Sequence, residues 1–358
     1  MRILVLVFSL ALAAPGADSA GLKEGKAELK SAGPLAFGPN GILFAGDSAA
    51  ASIVAIDTGD TKPGKAAGTF EIKGIHEKVA ATLGAAPDQI LIQDVIVNPV
   101  SKRVYLSVSR GRGPDAAAVI LRTDASGKIE EVPLNNVKHA SIALPDAPPA
   151  EAKDARGNSR RQESITDLAY VDGRVFVAGL SNEEFSSSLR AIPYPFRAAT
   201  PATGIEIFHG AHGRFETNAP VRTFVPYTVA NKPHILAAYT CTPLVTIPVS
   251  ELKPGSKVKG TTIAELGNRN RPLDMIVYSK GGKDYILMAN SSRGVMRLPA
   301  ANLDSYPAIT AQTEGAGVPK ETIAGWTGVQ HLDKYDDSHA VILVQDGGSL
   351  DLRGVALP

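Results

Sequence analysis

Apolar residues fall along this chain in short runs that come in pairs: Leu35–Phe37 then Ile42–Phe44, Val95–Val97 then Val104–Leu106, Leu168–Tyr170 then Val175–Val177. Glycine, proline and asparagine or aspartate close each run. Runs this short, rich in β-branched and aromatic residues and bounded by turn formers, predict buried strands rather than helices. The pairs Asn40-Gly41 and Asp172-Gly173 suit tight hairpins between the first two strands of their units. The pattern recurs at Phe224–Tyr227, at Met275–Tyr278 and around Val329 to Val344, which makes six units.

The units repeat one another in sequence. Tyr285–Leu303 can be laid without a gap on His234–Leu252, and Val119–Glu131 lies on Glu206–Thr217 with one residue of offset, turn Gly127 on turn Gly213. Internal repetition of strand-turn-strand units is the signature of a closed radial array. A third strand follows in each unit (Ser52–Asp57, Ala118–Thr123, Ile205–His209, Leu244–Val249, Val295–Pro299), then a more polar fourth (Thr69–Lys73, Lys128–Val132, Arg214–Asn218, Thr261–Leu266). Four antiparallel strands repeated six times predict an all-β, six-bladed β-propeller. The last unit stops after its third strand, Ser349–Leu357, and Lys26–Lys30 alternates like a strand, so this N-terminal segment is expected to close the ring against the C-terminal unit.

Three segments break the regularity. His76–Leu83 has helical composition. Asn136–Ser164 is polar and proline-rich, and Ser181–Thr203 carries Phe185, Tyr194 and Phe196 between what read as the second and third strands of the third unit. In a propeller the fourth-to-first and second-to-third connections emerge on one face. That face is the expected surface for a small-molecule or protein partner, with Asp47, Arg110, Asn182, Phe185, Tyr194, Phe196 and Asp346 as candidate contacts. The plain alternative is that the insertions only cover the tunnel mouth.

Met1 to Ala14 has a basic residue at position 2, an apolar run and small residues at Ala11 and Ala13, and reads as a secretory signal peptide. Residues 1–20 are therefore expected to be a signal peptide and disordered start, 21–358 a single propeller domain, and the product secreted or periplasmic with no membrane span in the mature chain. A net charge of +1 over 358 residues argues against a nucleic-acid partner. The single cysteine, Cys241, cannot form an internal disulfide and is expected to be buried and inert. Cys-x-x-Cys-His and glycine-rich phosphate loops are absent, so neither covalent haem nor a nucleotide is expected.

The run Gly33–Ser48, followed by Ile53–Asp57, resembles the repeat of NHL and related propellers, including the gluconolactonase-like group. The resemblance implies a propeller with a metal or ligand at its central tunnel. It does not choose among hydrolase, sensor and binding platform.

Asp94, Asp167 and Asp274 take the same place in three units, just before the apolar part of the first strand, where the other units carry Pro34, Thr223 and either Gly328 or Gln330. The innermost strands line the axis, so the carboxylates should converge near one tunnel mouth. Two readings follow. In the first, each carboxylate is held by backbone N–H groups of the neighbouring blade. In the second, Asp94, Asp167 and Asp274 with Asn290 hold a hard cation, with Ca²⁺ favoured by the oxygen set, and His331 would serve as general base beside a metal-bound water. His209 and His212 flank a hairpin turn expected on the face opposite the insertions. The functional alternatives are accordingly a binding scaffold and a Ca²⁺-dependent lactone or ester hydrolase.

Overall fold

The computed structural model describes residues 21–113, 115–241 and 243–358; the signal-like segment Met1 to Ala14 lies outside them. The innermost strands of the six sheets are Leu35–Phe37, Ile90–Val97, Asp167–Val171, Thr223–Val229, Pro272–Lys280 and Val329–Lys334. Each pairs antiparallel with the strand that follows it, and the sheets form a six-bladed β-propeller. Six apolar clusters fill the seams between neighbouring blades, one per seam. Their largest members, such as Phe44, Tyr105 and Phe176, are completely buried. Each such side chain is worth roughly 1.5–3 kcal/mol of transfer free energy, so the seams supply the main cohesion of the ring.

The clusters also give the order of blades. The second blade shares one cluster with the first, joining Tyr105 and Ile120 to Leu43 and Ile56, and another with the sixth, joining Val95 and Leu121 to Leu343 and Leu352. The first blade meets the third through Phe44, Ile165 and Val175. The second blade is thus a wedge between the first and the sixth, and the chain reaches it by detour. Phe70–Ile72 is not the fourth strand of the first blade. It pairs with Ser349–Ala356 as the fourth strand of the sixth, Ile72 opposite Leu352. The chain then makes the helix Ile75–Leu83, whose buried face of Ile75, Val79, Ala80 and Leu83 joins the seam.

After the second blade the chain returns as Val137–Ala143, the fourth strand of the first blade, paired with Ser52–Asp57. The polar segment 136–164 therefore begins with a packed strand, and Ile142 and Leu144 enter the core. A strand from the N-terminal part of the chain does close the ring, but it is Phe70–Ile72. The expected Lys26–Lys30 is replaced by Lys23–Gly25, which lies outside Val137–Ala143.

The third blade differs from expectation in the same region. Its third strand is Ser187–Pro193, inside the segment read as an insertion, and Thr203–His209 is the fourth. Only Thr203 and Gly204 pair with the blade; the rest forms a hairpin arm with Arg214–Glu216 and lies parallel to Lys257–Lys259. No helix among the described residues is long and apolar enough to cross a membrane.

Candidate functional site

Three inner strands carry a β-bulge at the same place. Pairing skips Gln93 between Ile92 and Asp94, Leu273 between Pro272 and Asp274, and Gln330 between Val329 and His331. A bulge re-aims the side chain that follows it. Here it fixes the register that the sequence left open: His331, not Gly328 or Gln330, takes the place of Asp94 and Asp274. Asp333, two residues on, shares its side of the strand and was not anticipated.

Every carboxylate of this group joins two blades. Asp94 accepts the N–H of Leu35 at 2.7 Å, Asp167 that of Phe224 at 2.7 Å, Asp274 that of Leu332 at 3.0 Å and Asp333 that of Val97 at 2.7 Å. The second oxygen of each accepts the N–H of the residue that follows it. Asp94, Asp274 and His331 come together, the His331 Nδ1 lying 3.4 Å from Asp94 and 3.6 Å from Asp274 with their side chains less than one-fifth exposed. These three offer ligand atoms within 4.8 Å of one another, a set that does not include Asp167. Asn290 does not join them either: its amide is engaged by Asn270 at 2.7 Å and by the Met288 carbonyl at 2.9 Å. The four residues expected to hold Ca²⁺ thus do not converge as one shell, and the carboxylates already have N–H partners.

The electrostatics follow from burial. Desolvation pushes the Asp167 carboxyl well above the usual range, with repulsion from Asp274 adding to it and the Phe224 N–H opposing. Desolvation likewise raises Asp333 to about 7, against the N–H groups of Val97 and Lys334. For His331 burial opposes the charged ring, yet Asp274 and Asp94 prevail and hold it protonated up to about 10. The imidazolium is the resident cation between two carboxylates.

Beyond this group the tunnel opens into a cavity of about 760 Å³ walled by Phe37, Tyr170, Phe224 and Tyr335, among aliphatic residues, with Lys102 and Asp336 towards the hairpin turns. Among the described residues the lining contains no serine, threonine or cysteine.

Comparison with known proteins assigns no family. No protein-family model matches the chain, and no curated protein matches it. Among solved structures, it is similar to a chain of the mitotic checkpoint complex, at 10% identity and TM-score 0.40 over 99% of both chains. A protein assigned as an oxidoreductase (glucose dehydrogenase) from Thermus thermophilus gives 11% and 0.35, over 94% of this chain and 100% of that one. The PQQ-bound aldose sugar dehydrogenase of Streptomyces coelicolor gives 10% and 0.33, over 94% and 97%. Similarity this distant assigns no activity.

The residues expected on the insertion-bearing face are dispersed. Asp47 is fully buried and accepts the N–H groups of Lys30, Ser31 and Ala50, so it is a turn clamp. Arg110 bonds the Leu83 carbonyl at 3.3 Å, and Asp346 pairs with Arg353 at 2.7 Å. Asn182 is exposed, its N–H bonded to the Asp146 carbonyl. Phe185 lies under Lys257 Nζ at 4.4 Å. Tyr194 and Phe196 follow the end of the third strand, on the opposite face from Phe185, and pack on Phe44 with ring centroids 4.9 and 6.0 Å away. They are apolar filling, because the segment that carries them leaves from the other end of the strand than the sequence suggested.

The hairpin arm holds a second group of titratable side chains. His209 is 3% exposed and His212 is exposed, with ring centroids 3.9 Å apart. Both point Nδ1 at Glu216, at 2.8 and 2.7 Å. Because Thr203–His209 is a fourth strand, its turn is on the same face as the 181–186 turn, and not opposite to it. One signal for the tunnel register was present in the sequence: Ile92-Gln-Asp94 and Val329-Gln-His331 match when the bulge is allowed for. Nothing comparable marks Asp333.

Proposed function

We propose that this protein is a binding propeller that takes a small organic molecule in its tunnel cavity. One observation carries the reading: a preformed cavity of about 760 Å³, with aromatic and aliphatic walls, ends on carboxylates that already have partners. Cavities of this size and apolar lining with a few convergent polar groups suit drug-sized ligands. A lining without serine, threonine or cysteine among the described residues favours binding over hydrolysis through one of those nucleophiles. The acidic end favours a ligand with a hydrogen-bond-donating or cationic head on an apolar body. The resemblance of Gly33–Asp57 to NHL and gluconolactonase-like repeats agrees with a tunnel ligand. We extend the proposal to export of the mature chain, on the composition of Met1 to Ala14.

A second reading, metal-assisted lactone or ester hydrolysis, is favoured by the proximity of Asp94, Asp274 and His331. One set of experiments separates the two. Thermal shift with a panel of aromatic amines, betaines and polyols should yield stabilising compounds for the wild type and none for Ala169→Trp, which fills the cavity. No stabilising compound, together with lactone or ester turnover that Asp94→Asn abolishes, would replace the binding reading by the hydrolase. N-terminal sequencing of the protein isolated from cells tests the export proposal.

A further inference from the structure

We propose that His209, His212 and Cys241 form a transition-metal site of the zinc type on the outer face of the third and fourth blades, remote from the tunnel carboxylates. A ring nitrogen of each histidine and the Cys241 Sγ lie within 4.8 Å of one another, although Cys241 is on a turn of a different blade from the two histidines. The chain folds to bring them together: the fourth strand of the third blade runs past its sheet as the hairpin arm, and Thr313 and Gln312 bond the carbonyls of Gly210 and Ala211 at its turn. Cys241 is held by its own N–H on the Asn270 carbonyl at 2.7 Å.

The tautomers follow from Glu216. A carboxylate that receives both Nδ1 atoms requires a hydrogen on each, at 2.8 Å from His209 and 2.7 Å from His212. The Nε2 atoms are then the ring nitrogens turned away from Glu216 and left to face a metal. His209 Nε2 is buried and has no partner, which is costly for a polar atom unless something else binds it. Ligand histidines commonly have their other nitrogen bonded to a carboxylate, as here, which orients the ring and raises its basicity.

Beside the same turn Glu265, from the fourth blade, takes the Gly210 N–H on Oε1 at 2.5 Å and so holds the turn in place. Two imidazoles and a thiolate supply three of the four positions of a tetrahedral zinc site, the fourth being left to water, and the nitrogen and sulfur donors select against Ca²⁺ and Mg²⁺. Binding is balanced by loss of one proton, from the Cys241 thiol to solvent; no oxidation is involved.

The test uses the full chain stripped with a chelator and titrated with Zn²⁺, then with Co²⁺ as a spectroscopic substitute. The expected result is one ion per chain, a higher melting temperature, and thiolate-to-cobalt absorption that vanishes in Cys241→Ser. His212→Asn, at the exposed ligand, should weaken binding at least about tenfold while its metal-free melting curve stays close to the wild type. Absence of stoichiometric binding would overturn the proposal, as would binding unchanged in the Cys241→Ser, His212→Asn double variant. Binding lost instead in Asp94→Asn, Asp274→Asn would also overturn it, by moving the ion to the tunnel.

Discussion

The tunnel and the hairpin arm both bury titratable side chains, and they treat them oppositely. In the tunnel, Asp94, Asp167, Asp274 and Asp333 each receive two backbone N–H groups, one of them from the next blade. On the arm, His209 Nε2 is buried and has no partner, whereas the tunnel's His331 Nδ1, also without a hydrogen bond, has Asp94 and Asp274 as counter-charges 3.4 and 3.6 Å away. A buried polar group with all its partners in the fold is part of the architecture, while one without invites a ligand. By that standard the acidic ring, the more conspicuous feature in the sequence, is a fastening between blades, and the arm is the more reactive place.

The largest effect that would break this comparison is on stability. Asp274→Ala removes the acceptor of the Met275 and Leu332 N–H groups and one neighbour of His331, and should cost about 3 kcal/mol in urea unfolding. A loss under about 1 kcal/mol would mean that the ring does not fasten the blades.

A pH dependence comes next. The folded-state value of His331, about 10, is above its ordinary 6.5. The stabilisation is therefore full below about 6.5 and is lost as pH rises through 10. Asp333, at about 7 against an ordinary 3.8, has the same sign: its contribution is present below 3.8 and lost as pH rises through 7. Melting temperature followed across pH should fall in both windows. His331→Gln should flatten the upper window and Asp333→Asn the lower; a slope unchanged in both variants would remove the assignment.

The smallest effect is at the fourth-blade turn that meets the arm. Cys241→Ser in metal-free protein should change stability by no more than about 0.5 kcal/mol, since the thiol there fastens nothing. A loss comparable with that of Asp274→Ala would make the arm as structural as the tunnel and erase the contrast.

The six units, their inner strands and the convergence of Asp94 and Asp274 were legible because each is repeated in a pattern of burial that period and turn chemistry reveal. Strand partnership was less so. Phe70–Ile72 and Val137–Ala143 are short outer strands whose alternation suits any sheet edge, and only tertiary packing assigns them to the sixth and first blades. The exchange of Ile205–His209 from third strand to fourth has the same origin, since Ser187–Pro193 has two serines and a proline where a core strand was sought. The His209, His212 and Cys241 group was hidden because its members come from two blades and no local spacing announces them. Tyr194 and Phe196 taught the reverse, aromatic residues in a polar segment that turned out to be filling.

The detour of the chain between its first and sixth blades also dictates when the molecule can become itself. Phe70–Ile72 leaves the ribosome long before its partner Ser349–Ala356 is made. Until then the wedge blade can settle against only one neighbour, and the seam on its other side stays open to water. Contacts so distant along the chain are slow to form and leave apolar surface uncovered while they are awaited. The nascent ring is thus an unfinished circle that stays pliable until the partner of Phe70–Ile72 arrives, and then two distant parts of the chain lock together.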